Sequence, residues 1–443
     1  MSDENTGEPQ GRVILTYGRS LMSLAAAQLL SDRGTEIVGC DSIDMTVLQN
    51  SRYCDAYFMH RDFDQDPDGF IEDLLEAVRE HKPEDNRPYV LMPVFRETKL
   101  IARNADKFEG LITVAAPAIS SIDQVEPKSR LIDLAERAGV RAPHAKALEC
   151  DENYKTCLEN FPLPALTKPP EGVGGKGIEI HDTAEALHAC LDACPSDTPM
   201  PVVQEYVEGE DFCFCALCDN GEVVAHMVYR NLQSYPKGTG AGVLRETVDD
   251  SPFLEGARKL LKELNWNGVC EIDYRWTGDE AEEPCLIEVN ARFWAGLFHS
   301  IASGVEYPWL WYQLAAFGEC DQPREATVGR KSKVPFFWFL AAAQDAAAHE
   351  DYAQHLQEAW DALAHGDETE GSTVERFTGL VKSIFDAPAL AHLVKSVMDA
   401  HKQGEDSAVD FIPPEDPRAA VGALFVASSL IRHGKLPPEL KSG

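Results

Sequence analysis

Positive charge is scarce in this sequence. Its 40 lysines and arginines stand against 74 aspartates and glutamates in 443 residues, a formal net charge of −34. A field of that sign repels phosphate backbones and anionic lipid alike, which argues against a general nucleic-acid binder. It also suits a salt-rich cytoplasm, where self-repulsion is screened and a hydrated carboxylate surface keeps the protein in solution. Long apolar runs are missing too: no stretch approaches the ~20 residues of a membrane span, and Met1 to Gln10 has no signal-peptide core. The expectation is a cytoplasmic protein that meets no membrane. Three motifs are absent or incomplete. Only Gly18 stands where a dinucleotide fingerprint needs three glycines, which disfavours a nicotinamide enzyme. Lys176 is followed by Gly177 and Ile178 rather than by Ser or Thr opening a helix, so its glycine-rich segment is not a Walker loop. Cys213, Cys215 and Cys218 include a C-x-x-C, but Cys270 and Cys285 form no second close pair, so a four-ligand zinc pattern is incomplete. The 12 cysteines therefore read as reduced thiols, mostly small apolar core residues. Neither they nor the 13 histidines show a recognisable nucleophile with its base.

What is present is ordinary globular material, with 44% apolar and 26% charged residues and length for about three domains. Apolar runs at Arg12 to Tyr17, Glu36 to Cys40 and Tyr89 to Pro93 alternate with helical periodicity such as Leu21 to Ser31, which predicts a parallel, Rossmann-like α/β sheet. Pro127-Lys128-Ser129 opens an amphipathic helix that Gly139 ends, and a new domain begins near Ser121. From Leu163 to Arg292, strand-like runs recur between glycine-rich or acidic turns, an α+β pattern. Beyond Pro308 the periods are helical: Ala341 to His349, Tyr352 to Ala364, Leu390 to His401 and Pro417 to His433.

Three constellations carry chemistry. Lys168 ends a strand and leads into Pro169 to Gly177, where glycine backbone N–H groups can converge on an anion beside a fixed positive charge; a plain hairpin is the other reading. Val203 to Asp211 is an apolar strand running into an acidic turn. Backbone at such a strand end can pair with a flat heterocycle and a carboxylate can accept from ribose hydroxyls, although a solvated turn has the same composition. The most specific group is Glu271-Ile272-Asp273 followed by Glu288-Val289-Asn290-Ala291-Arg292. Alternation places Glu288 and Asn290 on one strand face with Arg292, and a partner strand brings Glu271 beside them. Two carboxylates and an amide oxygen suit octahedral Mg²⁺ shared with substrate phosphates, and the Arg292 fork suits a phosphoryl group or a carboxylate.

In this order the motifs resemble the ATP-grasp superfamily, in its carbamoyl-phosphate-synthase-like and carboxylate–amine ligase branches, over about Val13 to Pro308. The resemblance implies a Rossmann-like pre-ATP-grasp domain at 1–120 and an ATP-grasp domain at 121–331 with a lid at about 140–205. A mostly helical region at 332–443 would follow. It makes Lys128 and Lys168 the phosphate-contacting lysines, and Gly174 and Gly175 the loop over the phosphates. Glu205 and Val207 become the adenine hinge, Asp211 the ribose carboxylate, and Glu271, Glu288 and Asn290 the metal ligands. The implied activity is an ADP-forming ligase that uses ATP and Mg²⁺, or Mn²⁺, to activate a carboxylate for attack by an amine. Lys168 and Arg292 would neutralise the transferring charge. Partners would be a small-molecule carboxylate and amine, with a homodimer as one permitted assembly. The alternatives are an enzyme that phosphorylates bicarbonate or carbamate, and a non-catalytic nucleotide-binding assembly subunit. Two further segments could hold substrate: Arg230 to Gly242, a cationic glycine-rich loop that reads equally as an ordinary hairpin, and Met92 to Thr98 at a strand C-terminus, which also reads as a simple strand-to-helix turn.

Overall fold

Val13, Ile14 and Leu15 are wholly enclosed, as expected of a parallel strand covered on both faces. They lie in β1 (Gly11–Leu15) of a computed structural model that describes residues 10–126, 128–148, 154–168, 178–194, 199–235, 241–335, 402, 404 and 406–420. β1 joins β2 (Thr35–Asp41), β3 (Ala56–Met59), β4 (Tyr89–Met92) and β5 (Thr113–Val114) in an all-parallel sheet of order β3-β2-β1-β4-β5. Helices α1 (Leu21–Asp32), α2 (Pro67–Glu80), α3 (Glu97–Arg103) and α4 (Ile119–Val125) follow its strands. Ser20 starts α1 by accepting a hydrogen bond from the Ser23 amide, which satisfies one of the helix's orphan donors. Strand order reverses between β1 and β4, so their C-terminal ends flank the crevice where open α/β sheets take ligands.

After α5 (Lys128–Ala138) comes a four-stranded antiparallel sheet of order β6-β9-β7-β8. Its strands are β6 (Ala145–Ala147), β7 (Ala165–Lys168), β8 (Glu179–His181) and β9 (Val202–Glu205), with α6 (Tyr154–Cys157) and α7 (Ala184–Asp192) between them. The third sheet contains β10 (Glu210–Asp219), β11 (Glu222–Tyr235), β12 (Ala241–Val248), β13 (Gly268–Trp276), β14 (Cys285–Asn290), β15 (Lys331–Lys333) and β16 (Ala408–Val409). Its order is β14-β13-β10-β11-β12-β15-β16. α8 (Ser251–Glu263), α9 (Leu297–Ala302) and α10 (Tyr307–Phe317) complete the described helices.

Alternation gives the seven-stranded sheet two different faces. Phe212, Phe214, Val228, Ile272 and Tyr274 pack with Phe253, Ala257 and Leu260 of α8. The opposite residues, Cys213, Cys215, Met227 and Tyr229, join the core that also holds Val13, Leu15 and Met92 of the parallel sheet. α10 binds the two sheets together because it is apolar nearly all round. Tyr307 donates to the Cys215 carbonyl at 2.8 Å, and Trp311 to the Ala115 carbonyl at 3.1 Å.

Of the two readings of Arg230 to Gly242 the hairpin holds: Arg230 to Tyr235 is strand, paired antiparallel with β12, and the Arg230 guanidinium donates to Glu210 at 3.1 Å and Glu246 at 2.9 Å, so its charge is neutralised within the sheet. Lys237 lies outside the described residues. The start of the C-terminal region is not helical, contrary to expectation: Ser332 pairs with Ala408 and Lys333 with Val409 in parallel. Asp416 accepts from Ser51 at 2.5 Å and from the Arg52 amide at 3.1 Å, which anchors this returning segment to the first sheet. The helical periods at 341–349, 352–364 and 390–401 fall outside the described residues.

Candidate functional site

On β13 and β14 the antiparallel register sets Glu271 opposite Asn290 and Asp273 opposite Glu288. Directly opposed residues share a face, so three carboxylates and one amide converge on the side that carries Cys213 and Tyr229. Tyr229 donates its hydroxyl to Glu271 at 2.7 Å. The Asn290 amide nitrogen donates to Asp273 at 3.1 Å and to Glu288 at 3.3 Å, while its oxygen accepts from Arg292 at 3.1 Å. The Cys213 sulfur and carboxylate oxygens of Glu271 and Asp273 all lie within 4.8 Å of one another.

The electrostatics of this cluster follow from burial and like charge. Burial pushes the Glu271 carboxyl up; the Tyr229 hydrogen bond, Arg292 and Arg245 pull it back down, and Glu288 adds to the rise. Asp273 is raised well above the usual carboxylate range, first by burial and then by the charges of Glu271 and Glu288. Grouping such carboxylates costs free energy unless a cation shares the space. The donors are hard oxygens, the set that suits Mg²⁺. With the Asn290 amide turned over, its oxygen would join them.

Arg292 ties this cluster to the parallel sheet: its guanidinium sits 4.8 Å from the centre of the Phe95 ring. Phe95 belongs to Met92 to Thr98, at the C-terminal end of β4. There Glu97 is buried, and one of its oxygens accepts from the Val94 and Phe95 amides at 3.2 and 3.0 Å and from the Thr16 hydroxyl. Beside it, Arg19 grips Asp41 at the end of β2, with Nε 2.9 and 3.0 Å from the two carboxylate oxygens. A carboxylate there would serve a dinucleotide ribose; here it is held by arginine.

The remaining candidate residues are distributed over two sheets. Lys168 ends β7, and its ammonium donates to the buried Gln204 at 2.9 Å. Glu205 ends β9 and accepts from the His144 amide at 3.0 Å, and Val207 is buried just beyond it. Asp211 lies on β10 with Arg275 3.6 Å away. Lys128 is the first residue of α5, its side chain outside the described residues, as are Gly174 and Gly175. The ligand set read from sequence omitted Asp273 and Tyr229. Period-two alternation from Glu271 already places Asp273 on the same face; Tyr229 has no such signal, because it arrives from a non-adjacent strand.

Residues 197–334 match the family described as "ATP-grasp in the biosynthetic pathway with Ter operon". The chain is 24% identical over 230 residues to the carbamoyl phosphate synthase large chain of Clostridium beijerinckii, which covers 50% of this chain and 21% of that protein. It thus spans about a fifth of the length of that relative. Among solved structures, biotin carboxylase of Campylobacter jejuni, in complex with β,γ-ATP, superposes with a TM-score of 0.58 at 16% identity, covering 73% of this chain and 77% of the other. The biotin carboxylase domain of Hydrogenobacter thermophilus 2-oxoglutarate carboxylase, in complex with MgADP, ADP and bicarbonate, gives a TM-score of 0.55 at 18% identity and covers 72% of each chain. Residues 197–334, which include the carboxylate-bearing strands β13 and β14, are thus similar to an ATP-grasp family, and the Rossmann-like sheet followed by a four-stranded and a seven-stranded sheet is the fold shared with these solved structures.

Proposed function

We propose that the chain is an ADP-forming ligase that uses ATP and Mg²⁺ to activate a carboxylate as an acyl phosphate, which an amine then displaces to form a carbon–nitrogen bond. The observation that carries this reading is the convergence of Glu271, Asp273, Glu288 and Asn290 beside Arg292 on one face of β13 and β14. Mg²⁺ held there by Glu271, Glu288 and Asn290, with Asp273 as a further donor, would neutralise triphosphate charge; Mn²⁺ suits the same oxygens. Arg292 offers a planar fork to the transferring phosphoryl group or the substrate carboxylate. Lys168, with Lys128, supplies positive charge to the phosphates. Glu205 and Val207 form the edge against which adenine would lie, and Asp211 would accept from the ribose. Gly174 and Gly175 are proposed to approach the phosphates through their backbone. The protein's contribution is positioning and charge neutralisation, with no covalent nucleophile.

We extend the same reading to organisation and setting: a pre-ATP-grasp domain at 1–120, an ATP-grasp domain at 121–331, and small-molecule substrates in the cytoplasm. Among the described residues no helix is long and apolar enough to cross a membrane.

A second reading has its own support, because the solved structure with MgADP also holds bicarbonate and the curated relative is a carbamoyl phosphate synthase. Under it, bicarbonate or carbamate takes the place of the organic carboxylate. One experiment tests both: ADP release from Mg·ATP, measured with pooled carboxylates and amines and with bicarbonate alone. Release that requires a carboxylate and amine together supports the ligase. Release with bicarbonate alone supports the second reading, and no release under any condition overturns both.

A further inference from the structure

We propose that Glu179, His181 and Cys190 form a transition-metal site for Zn²⁺-like ions at the edge of the four-stranded sheet. The site is separate from the carboxylates of β13 and β14 and does not depend on the reaction proposed above. Glu179 and His181 are two residues apart on β8, the outermost strand of its sheet, so they share a face. Cys190 comes from α7, whose start is fixed by the Thr183 hydroxyl accepting from the Ala186 amide at 3.2 Å. One donor atom from each of the three residues lies within 4.8 Å of the other two.

That spacing is what one small ion needs. Zinc bonds of about 2.3 Å to sulfur and 2.0 Å to oxygen, at a tetrahedral angle, separate the two ligand atoms by about 3.5 Å. The Cys190 sulfur lies 3.6 Å from the Glu179 carboxylate. His181 is 6% exposed, so its ring is not a freely swinging surface group. The Thr167 hydroxyl of β7 lies 2.9 Å from the His181 ring nitrogen Nε2 and 3.8 Å from the Cys190 sulfur, a polar neighbour on the adjacent strand.

The donor chemistry selects the ion. A thiol, an imidazole and one carboxylate favour Zn²⁺ over Mg²⁺, whose preference for oxygen is met on β13 and β14 instead. On binding, the Cys190 S–H bond breaks, its proton passes to solvent, and the thiolate electron pair forms the metal–sulfur bond. Three protein ligands leave a fourth position for water. The ion would tie the edge strand β8 to α7, bracing the strand that follows residues 169–177.

The test uses the full-length, metal-depleted protein. Zn²⁺ is titrated in competition with a chromophoric chelator, and Co²⁺ then reports the ligands spectroscopically. The expected result is one equivalent bound at this site, with a near-ultraviolet thiolate-to-cobalt band that Cys190→Ser abolishes and Cys213→Ser leaves intact. Glu179→Gln and His181→Ala should each weaken Zn²⁺ binding at least about tenfold. Zn²⁺ should raise the melting temperature of the wild type and not that of Cys190→Ser; circular dichroism establishes that the variant is folded. Two results would overturn the proposal: no thiolate band in the wild type, or a band that survives Cys190→Ser and vanishes in Cys213→Ser, which would place the metal beside Glu271 and Asp273.

Discussion

The seven-stranded sheet lies between two apolar cores, with Phe214 and Ile272 facing α8 and Cys215 and Met227 facing the core that contains α10. The four-stranded sheet encloses a much smaller core, formed by Leu148, Leu158, Ala165, Leu187, Leu191 and Val203, and leaves Ile180 57% exposed. Each sheet carries a donor cluster, and the two differ as their surroundings do. Carboxylates are crowded inside the well-packed sheet, where low dielectric magnifies their repulsion and makes a divalent cation valuable. Softer donors sit at the edge of the lightly packed sheet. The contrast teaches that dense packing can hold charge in a fixed arrangement, while a sheet with few buried apolar contacts is expected to open at a lower free energy.

The largest effect should come from breaking the rigid cluster. Glu288→Ala is expected to lower Mg·ATP turnover at least about a thousandfold, because several kcal/mol of metal-mediated stabilisation is lost. The melting temperature of the metal-free protein should hold or rise, since one of three repelling carboxylates is gone. A turnover within tenfold of wild type would remove Glu288 from the metal set.

Next in size is a test of packing. Leu187→Ala, deep in the small core, should cost about 2–5 kcal/mol. Hydrogen exchange should then accelerate in β8 and α7 and stay slow in β10 and β13. Equal acceleration in both sheets would mean that they open as one unit, and the contrast would fail.

Lys168→Met probes the thinner sheet's part in binding. Loss of one charge-assisted contact, worth ~1.5–3 kcal/mol, should raise the ATP dissociation constant about ten- to 150-fold. Calorimetric titration checks it, and an unchanged constant would remove Lys168 from the phosphate site.

The last effect concerns acid and grows with each pH unit. His299 is buried between Thr247 and Ser332, 3.0 and 2.9 Å from their hydroxyls. Burial, with help from Arg245 and Arg330, holds its pKa down at about 3. The unfolded imidazole takes a proton below about pH 6.5 while the folded one stays neutral, so stability is lost as pH falls from there towards 3. Each pH unit in that window contributes about 1.4 kcal/mol. His299→Gln should flatten this slope in denaturant melts between pH 6.5 and 4.5, and an unchanged slope would place the acid sensitivity elsewhere.

Legibility differed between regions for a physical reason. Continuous apolar runs such as Val13 to Leu15 and Phe212 to Cys218 announce themselves because both faces of their strands are covered. Ala145–Ala147 and Ala408–Val409 did not, because two- or three-residue strands at sheet margins have too little period to read. Nothing local to Arg230 tells a cationic loop from a hairpin strand, because its partners Glu210 and Glu246 come from other strands.

By itself, the sequence determined the alternation of elements, the parallel first sheet and the spacing that puts Glu288, Asn290 and Arg292 on one face, since local periodicity is a property of consecutive residues. Only the tertiary structure decided that Tyr229 joins the carboxylate cluster, that Arg292 stacks on Phe95, and that Cys190 meets Glu179 and His181. Those encounters depend on strand register and on helices crossing sheets, and register is fixed by which faces the whole chain manages to bury.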